Sequence, residues 1–173
     1  MYDYLSRTGQ RVNQLFGYDL FEFYQEGTEA RYKAAYGKDM PDQKIELKYG
    51  DAVYVDLNDD GVIDQNDQKP LGFTSDGNPE ITWSVNASLN WKGLDFSMLW
   101  VGADNTSRTL NGYFRDQFGS TNTSALAQWV ADNSWTEDNP GAILPRISFA
   151  NRVHNNRDSQ AWIIEDRDRK SVV

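Results

Sequence analysis

From residue 56 to residue 67 the chain reads Asp-Leu-Asn-Asp-Asp-Gly-Val-Ile-Asp-Gln-Asn-Asp. Counted from Asp56, side-chain oxygens fall at positions one, three, five, nine and twelve: Asp56, Asn58, Asp60, Asp64 and Asp67. Position six is Gly61, and Val62 at seven offers its backbone carbonyl. A calcium ion takes about six to eight oxygen ligands, and a twelve-residue loop supplies them at this spacing, with Gly permitting the sharp turn. Ile63 at position eight would anchor the loop on apolar neighbours. We therefore expect a structural calcium loop with Asp56, Asn58, Asp60, Val62, Asp64 and Asp67 as ligands. It stands outside an EF-hand helix pair, because position twelve is Asp rather than Glu, as in dockerin-type loops, and no amphipathic helix precedes it. The same residues also suit an acidic turn whose Asp and Asn side chains cap their own backbone.

Other chemistry is harder to assemble. Carboxylates are abundant, yet no nucleophile stands beside a base, and the single histidine, His154, lies in a polar stretch where we expect it to be solvated. No enzyme is expected. Cysteine is absent, which removes thiol chemistry, disulfides and cysteine-based zinc sites. A net charge of -9 without a Lys/Arg cluster argues against a nucleic-acid partner. The later aromatic residues Tyr113, Phe114, Phe118, Trp129 and Trp135 could stack on a sugar ring or hold a long loop together; Trp129 and Trp135 are the candidate ligand contacts.

The acidic loop needs an element to deliver it, and Tyr49 to Val55 reads as a short strand running into Asp56. Upstream, residues 1 to 25 carry aromatic residues and Gly that suit short strands or ordered loop. Thr28 to Tyr36 reads as a helix stopped by Gly37. Lys69-Pro70-Leu71-Gly72 and Gly77-Asn78-Pro79 read as turns. Downstream we expect a helix from Ser124 to Asn133, ordered loop at Trp135 to Pro140 and Leu144 to Arg146, and a strand from Gln160 to Ile164. No apolar run is long enough for a transmembrane helix, and the start has no signal-peptide core, so either the protein is cytoplasmic or Met1 is not the natural start.

The strongest pattern is Thr82 to Gly102. Trp83, Val85, Ala87, Leu89 and Trp91 alternate with Thr82, Ser84, Asn86, Ser88 and Asn90, the period of a strand with one apolar face. A two-residue turn at Lys92-Gly93 places Trp91 opposite Leu94, Leu89 opposite Phe96, Ala87 opposite Met98 and Val85 opposite Trp100. Such a hairpin suits a β-sandwich with its polar face to water, or a membrane barrel with its apolar face to lipid. Ten residues at ~3.3 Å, tilted by about 45°, cover on the order of 24 Å, the height of a barrel's apolar band. Trp91 at one end and Trp83 with Trp100 near the other match interfacial girdles.

Several motifs in order resemble one family. Gly17-Tyr18 with Leu20-Phe21, the run Gly50 to Asp64, the Trp91 to Ser97 turn, Trp135 to Pro140 with Pro145-Arg146, and Ser159 to Asp166 resemble the C-terminal part of SusC/RagA-type TonB-dependent outer-membrane transporters. Tyr49 departs from the Pro usual there. The resemblance implies a 22-stranded transmembrane β-barrel in the bacterial outer membrane, with an internal plug and a SusD-like lipoprotein that captures glycans or peptides, energised through TonB. On that expectation the chain is mainly β with short helices in loops, a barrel fragment made of the Thr82 to Gly102 hairpin plus two long extracellular loops, and not a complete domain. Residues 1 to 167 would be partial barrel. Residues 168 to 173, Asp-Arg-Lys-Ser-Val-Val, depart from the family's closing strand and are expected to be a non-native tail. The other architecture, a secreted calcium-stabilised carbohydrate-binding or adhesion module with a β-sandwich core, stays open.

Overall fold

The structure, a computed structural model, describes residues 2–74, 78–116 and 125–165. The expected tail at 168–173, together with Ser124, Phe118 and the Tyr113 side chain, lies outside the described residues. The fold is mainly β. Among the described residues, eight strands form four two-stranded antiparallel sheets, accompanied by three short helices. No helix there is long and apolar enough to cross a membrane.

One compact body is organised around a three-residue strand. β1 (Gln14–Tyr18) pairs with β4 (Gln68–Thr74), and β2 (Leu20–Phe23) with β3 (Ala52–Tyr54). Every residue of β3 is buried, as expected for an apolar strand covered on both sides. Tyr18, Phe23, Ala52, Tyr54, Ile63 and Trp135 form the first core cluster. Val130, Leu144 and Trp162 form a second. α1 (Thr28–Tyr36) has the expected bounds, and Gly37 ends it at φ +71° with its N–H bonded to the Lys33 carbonyl, the left-handed C-terminal stop that Gly accepts without strain. Tyr32 carries that helix onto the body, its ring edge-on to Phe21 and beside Tyr36.

Three expectations change. Lys69 to Gly72 is part of β4, not a turn. Pro70 pairs with Phe16 in a two-stranded sheet, whose open edge tolerates a missing N–H, and Gly72 takes φ +57° where the register slips between Gln14 and Leu15. The helix expected from Ser124 is α2 (Gln128–Asn133), because Leu126 and Ala127 stay out of the helix to pack on the second cluster. Gln160–Trp162 is a 3-10 turn, and strand β8 (Ile163–Glu165) follows it to pair with β7 (Ser107–Thr109). The sequence pattern revealed neither β7 nor α3 (Arg152–Asn155).

The hairpin stands apart. β5 (Ile81–Trp91) and β6 (Leu94–Asp104) pair in the expected register along their whole length, including Asn90 opposite Asp95 and Ser88 opposite Ser97. Lys92 at φ +49° and Gly93 at φ +83° place both turn residues in the left-handed region, which a type I′ turn requires. Lys92 Nζ lies 5.0 Å over the Trp91 ring. At the base the Trp83 ring lies across Gly102, where a Cβ would come within 2.1 Å of it. Among the described residues no other element covers this pair. Ile81, Trp83, Val85, Leu89, Trp91, Leu94, Phe96, Leu99, Trp100 and Val101 are 48 to 71 % exposed.

Candidate functional site

β3 delivers the chain to the acidic loop at a fixed place. Val55 donates its N–H to the Asp19 carbonyl at 3.0 Å, and the Asp56 N–H reaches the Tyr32 hydroxyl at 3.3 Å. On the far side Ile63 is fully buried in the first cluster, as its position eight required. A backbone bridge secures it there: Asp42 donates to the Gly61 carbonyl at 2.8 Å and Ile63 to the Asp42 carbonyl at 2.9 Å. Between these anchors Asp59 and Gly61 take φ +65° and +82° and turn the chain back on itself.

Inside the loop the oxygens face N–H groups. The Asp56 carboxylate accepts from Asp59 and Gly61, both at 2.7 Å. Asn58 Oδ1 accepts from Asp60, Asp60 Oδ1 from Val62, and Asp64 Oδ1 from Asn66. Asp67 accepts from Leu57 at 2.9 Å and Asp64 at 2.8 Å, one through each oxygen. These are the self-capping contacts of an acidic turn. Among the described residues no group of three or more acidic, histidine or cysteine side chains is gathered so as to hold a metal ion. A carboxylate oxygen has two lone-pair sites, however, so one that caps an N–H keeps a site for a cation.

Two fully buried carboxylates show what the loop lacks. Asp51 receives Arg146 Nε at 2.5 Å, Asn155 at 2.9 Å, Asn151 at 2.5 Å and the Lys48 N–H at 2.9 Å. Burial raises its pKa, but these donors, Arg146 foremost, outweigh burial and hold it below the ordinary carboxylate value. Asp67 is equally buried and has backbone donors alone; among the described residues no Lys or Arg pairs with it. Burial, helped by the Asp56 charge, pushes its pKa up. The Tyr4 hydroxyl is buried beside the loop without a hydrogen-bond partner, and burial together with the charge of Asp67 raises its pKa too. A buried carboxylate with backbone donors alone and an orphaned hydroxyl beside it are the loop groups that burial leaves least compensated.

The two aromatic candidates separate. Trp135 is buried in the first cluster, its ring so close to Gly50 that a Cβ there would come within 2.3 Å. Trp129 is 39 % exposed and meets Phe114 edge to face, ring centroids 6.0 Å apart. His154 is not solvated. It sits in α3 at 3 % exposure, Nε2 lies 2.7 Å from the Ala52 carbonyl, and Tyr54 donates its hydroxyl to the His154 carbonyl at 2.9 Å. Burial, with the Arg157 charge behind it, brings its pKa down to about 4. A lone histidine in a polar run gives no sign of this, nor does anything in the sequence join Asp51 to Arg146 across 95 positions. No family model matches this chain, and no curated protein matches it.

Proposed function

We propose that the chain is part of an outer-membrane TonB-dependent transporter of the SusC/RagA type, importing glycans or peptides captured with a SusD-like lipoprotein. The hairpin carries this reading. Two eleven-residue strands at ~3.3 Å per residue, tilted by about 45°, span roughly 25 Å, the apolar height of an outer-membrane barrel wall. A lone two-stranded hairpin is marginal in water, and an apolar face this large marks an interface. Lipid on the Trp83, Val85, Leu89, Phe96, Trp100 face and neighbouring barrel strands along both edges supply what is missing. A barrel also satisfies the open backbone edges that lipid cannot.

The acidic loop is structural in this reading. Calcium bound by Asp56, Asn58, Asp60, the Val62 carbonyl, Asp64 and Asp67 would supply the positive charge that Asp67 lacks and stiffen an extracellular loop. Trp129, with Phe114, is the aromatic contact for a sugar. The alternative, a secreted calcium-stabilised carbohydrate-binding or adhesion module, needs a second sheet over the hairpin, and none packs there among the described residues.

Cysteine scanning tests the reading cleanly, because this stretch has no native cysteine. In the parent protein in bilayers, labels at residues 85, 89, 96 and 100 should be quenched from the lipid phase, and labels at 84, 88 and 97 by water-soluble quenchers. Loss of that alternation, or a parent that stays soluble and folded without detergent, would sink it.

A further inference from the structure

Asparagine followed by glycine is the dipeptide in which a side-chain amide is most open to attack by the backbone, and the chain has one, Asn111–Gly112. The attacking atom is the glycine nitrogen, the target is the asparagine side-chain carbonyl carbon, and closure gives a five-membered imide. A β-carbon on the following residue hinders that closure, and glycine has none. Folding then decides whether it happens. A nitrogen or side chain already engaged in a hydrogen bond has to be released first.

Asn111 leaves both groups free. It stands between β7 and the 3-10 turn Gly112–Phe114, at the N-cap position, with extended backbone at φ -131° and ψ 172°. An asparagine there ordinarily spends its side-chain oxygen on a backbone N–H of the turn, and Asn111 makes no such bond. Among the described residues neither its side-chain amide nor the Gly112 N–H has a hydrogen-bond partner. Both residues are exposed. Nothing lies within 4 Å of where a Gly112 Cβ would stand, and Gly112 lines an open cleft of about 320 Å³.

The acidic loop holds a related pair in the opposite state. Asp60–Gly61 could close to the same kind of imide, with water leaving instead of ammonia. Its attacking nitrogen, however, donates to Asp56 Oδ2 at 2.7 Å, while the Asp60 carboxylate accepts from Val62 at 2.9 Å and from the Asn58 side chain at 2.8 Å.

We propose that Asn111 is a site of spontaneous deamidation in the folded protein. The Gly112 nitrogen bonds to the Asn111 side-chain carbon, the C–N bond of the side-chain amide breaks, and ammonia leaves with the proton given up by the Gly112 N–H. Water then adds to one of the two imide carbonyls. Opening one way gives aspartate, and opening the other gives isoaspartate, whose main chain runs through the former side chain. No electrons change hands, and water is the only co-reactant. Either product places a new negative charge beside the cleft that Gly112 shares with Arg115 and Asp116. This chemistry does not depend on the importer reading.

The test ages the parent protein, folded in detergent and unfolded in urea, and maps it with trypsin. Cleavage after Arg108 and Arg115 gives the peptide Thr109 to Arg115, in which Asn111 carries the one side-chain amide. From the folded protein that peptide should gain about 1 Da and divide into aspartyl and isoaspartyl forms. Its rate should lie within about threefold of that in urea, since no hydrogen bond has to break first, and should be higher in mildly alkaline than in mildly acidic buffer. Isomerisation at Asp60 should run at least about tenfold more slowly folded than in urea, the factor its hydrogen bonds supply. Asn111→Gln, whose ring closure would be six-membered, should hold its mass. An Asn111 that converts in urea but not in the folded protein, a product with no isoaspartate, or a mass gain that persists in Asn111→Gln would each overturn the assignment. Equal folded and unfolded rates at Asp60 would overturn it as well, by removing hydrogen bonding as the control.

Discussion

The substitution Asp60→Asn separates the two readings of the acidic loop. Asp60 accepts the Val62 N–H through Oδ1 at 2.9 Å and the Asn58 side-chain N–H through Oδ2 at 2.8 Å, both at an exposed site. Asparagine keeps an oxygen for Val62 and loses the charge. In a self-capping turn the change should therefore cost about 0.5 kcal/mol or less, with or without calcium. In a calcium loop the parent gains about 2.7 kcal/mol at a calcium concentration of 100 Kd. If loss of one ligand charge weakens binding about a hundredfold, the increment at the same concentration falls to about 0.4 kcal/mol. For a chain of this size alone that increment would correspond to about 5–10 °C in Tm; in the much larger parent the rise is smaller, and its sign is the readout. Thermal unfolding in detergent, with chelator and then with excess calcium, measures both quantities. A parent indifferent to calcium, or an Asp60→Asn variant that keeps the full increment, refutes the ion reading and returns the loop to a capped turn.

Three further outcomes follow from the buried groups and the hairpin. Arg146→Met leaves the Asp51 carboxylate buried without its cation and should cost about 3–5 kcal/mol in urea unfolding; adding Asp51→Asn should recover part of that loss. Asp51's own contribution is present above its unfolded pKa of about 4 and is lost as pH falls through its lower folded value. His154 acts over a higher range: folded at about 4 against about 6.5 unfolded, it should withdraw about 3 kcal/mol of stability as pH falls from 6.5 to 4. His154→Gln should remove that slope in unfolding curves taken between those values. At the turn, Lys92 at φ +49° is strained where asparagine is not, so Lys92→Asn should stabilise the hairpin by about 0.5–1 kcal/mol and slow amide exchange beside the turn.

Legibility in the sequence followed the range of the interactions. The hairpin register could be read because alternation and a two-residue turn are local, and a slip of one residue would turn every tryptophan to the other face. Helix 28–36 and Gly37 were readable for the same reason, as was the buried Ile63 beside Gly61. What escaped depends on distant partners. β4 hid behind its Pro70 and Gly72, whose edge and bulge positions are defined by a partner more than fifty residues away. His154 and Asn155 are buried because Ala52, Asp51 and Trp162 receive them, and no spacing within residues 150–157 announces that. The loop's ligand spacing was plain, but that no cationic partner meets Asp67 among the described residues is a property of the folded neighbourhood.

The hairpin also bears on how tightly the loop needs to bind. At its base the Glu80 N–H donates to the Asn105 carbonyl and closes the hairpin on itself, and the Arg11–Glu80 ion pair ties that base to the segment before β1. The acidic loop belongs to the body, so a hairpin that crosses lipid leaves it on one side, the exterior in the importer reading. Extracellular calcium modules work with Kd values of about 10⁻⁴ to 10⁻³ M, set by ligand charge and loop rigidity. On the calcium reading the loop falls in that class, because it has aspartate at position twelve, most of its other carboxylates near solvent, and oxygens already engaged with N–H groups that a cation must share. Calorimetry in the parent should give a Kd in that range. A nanomolar value would require a cage of gathered carboxylates, and the geometry around Asp56 to Asp67 argues against one.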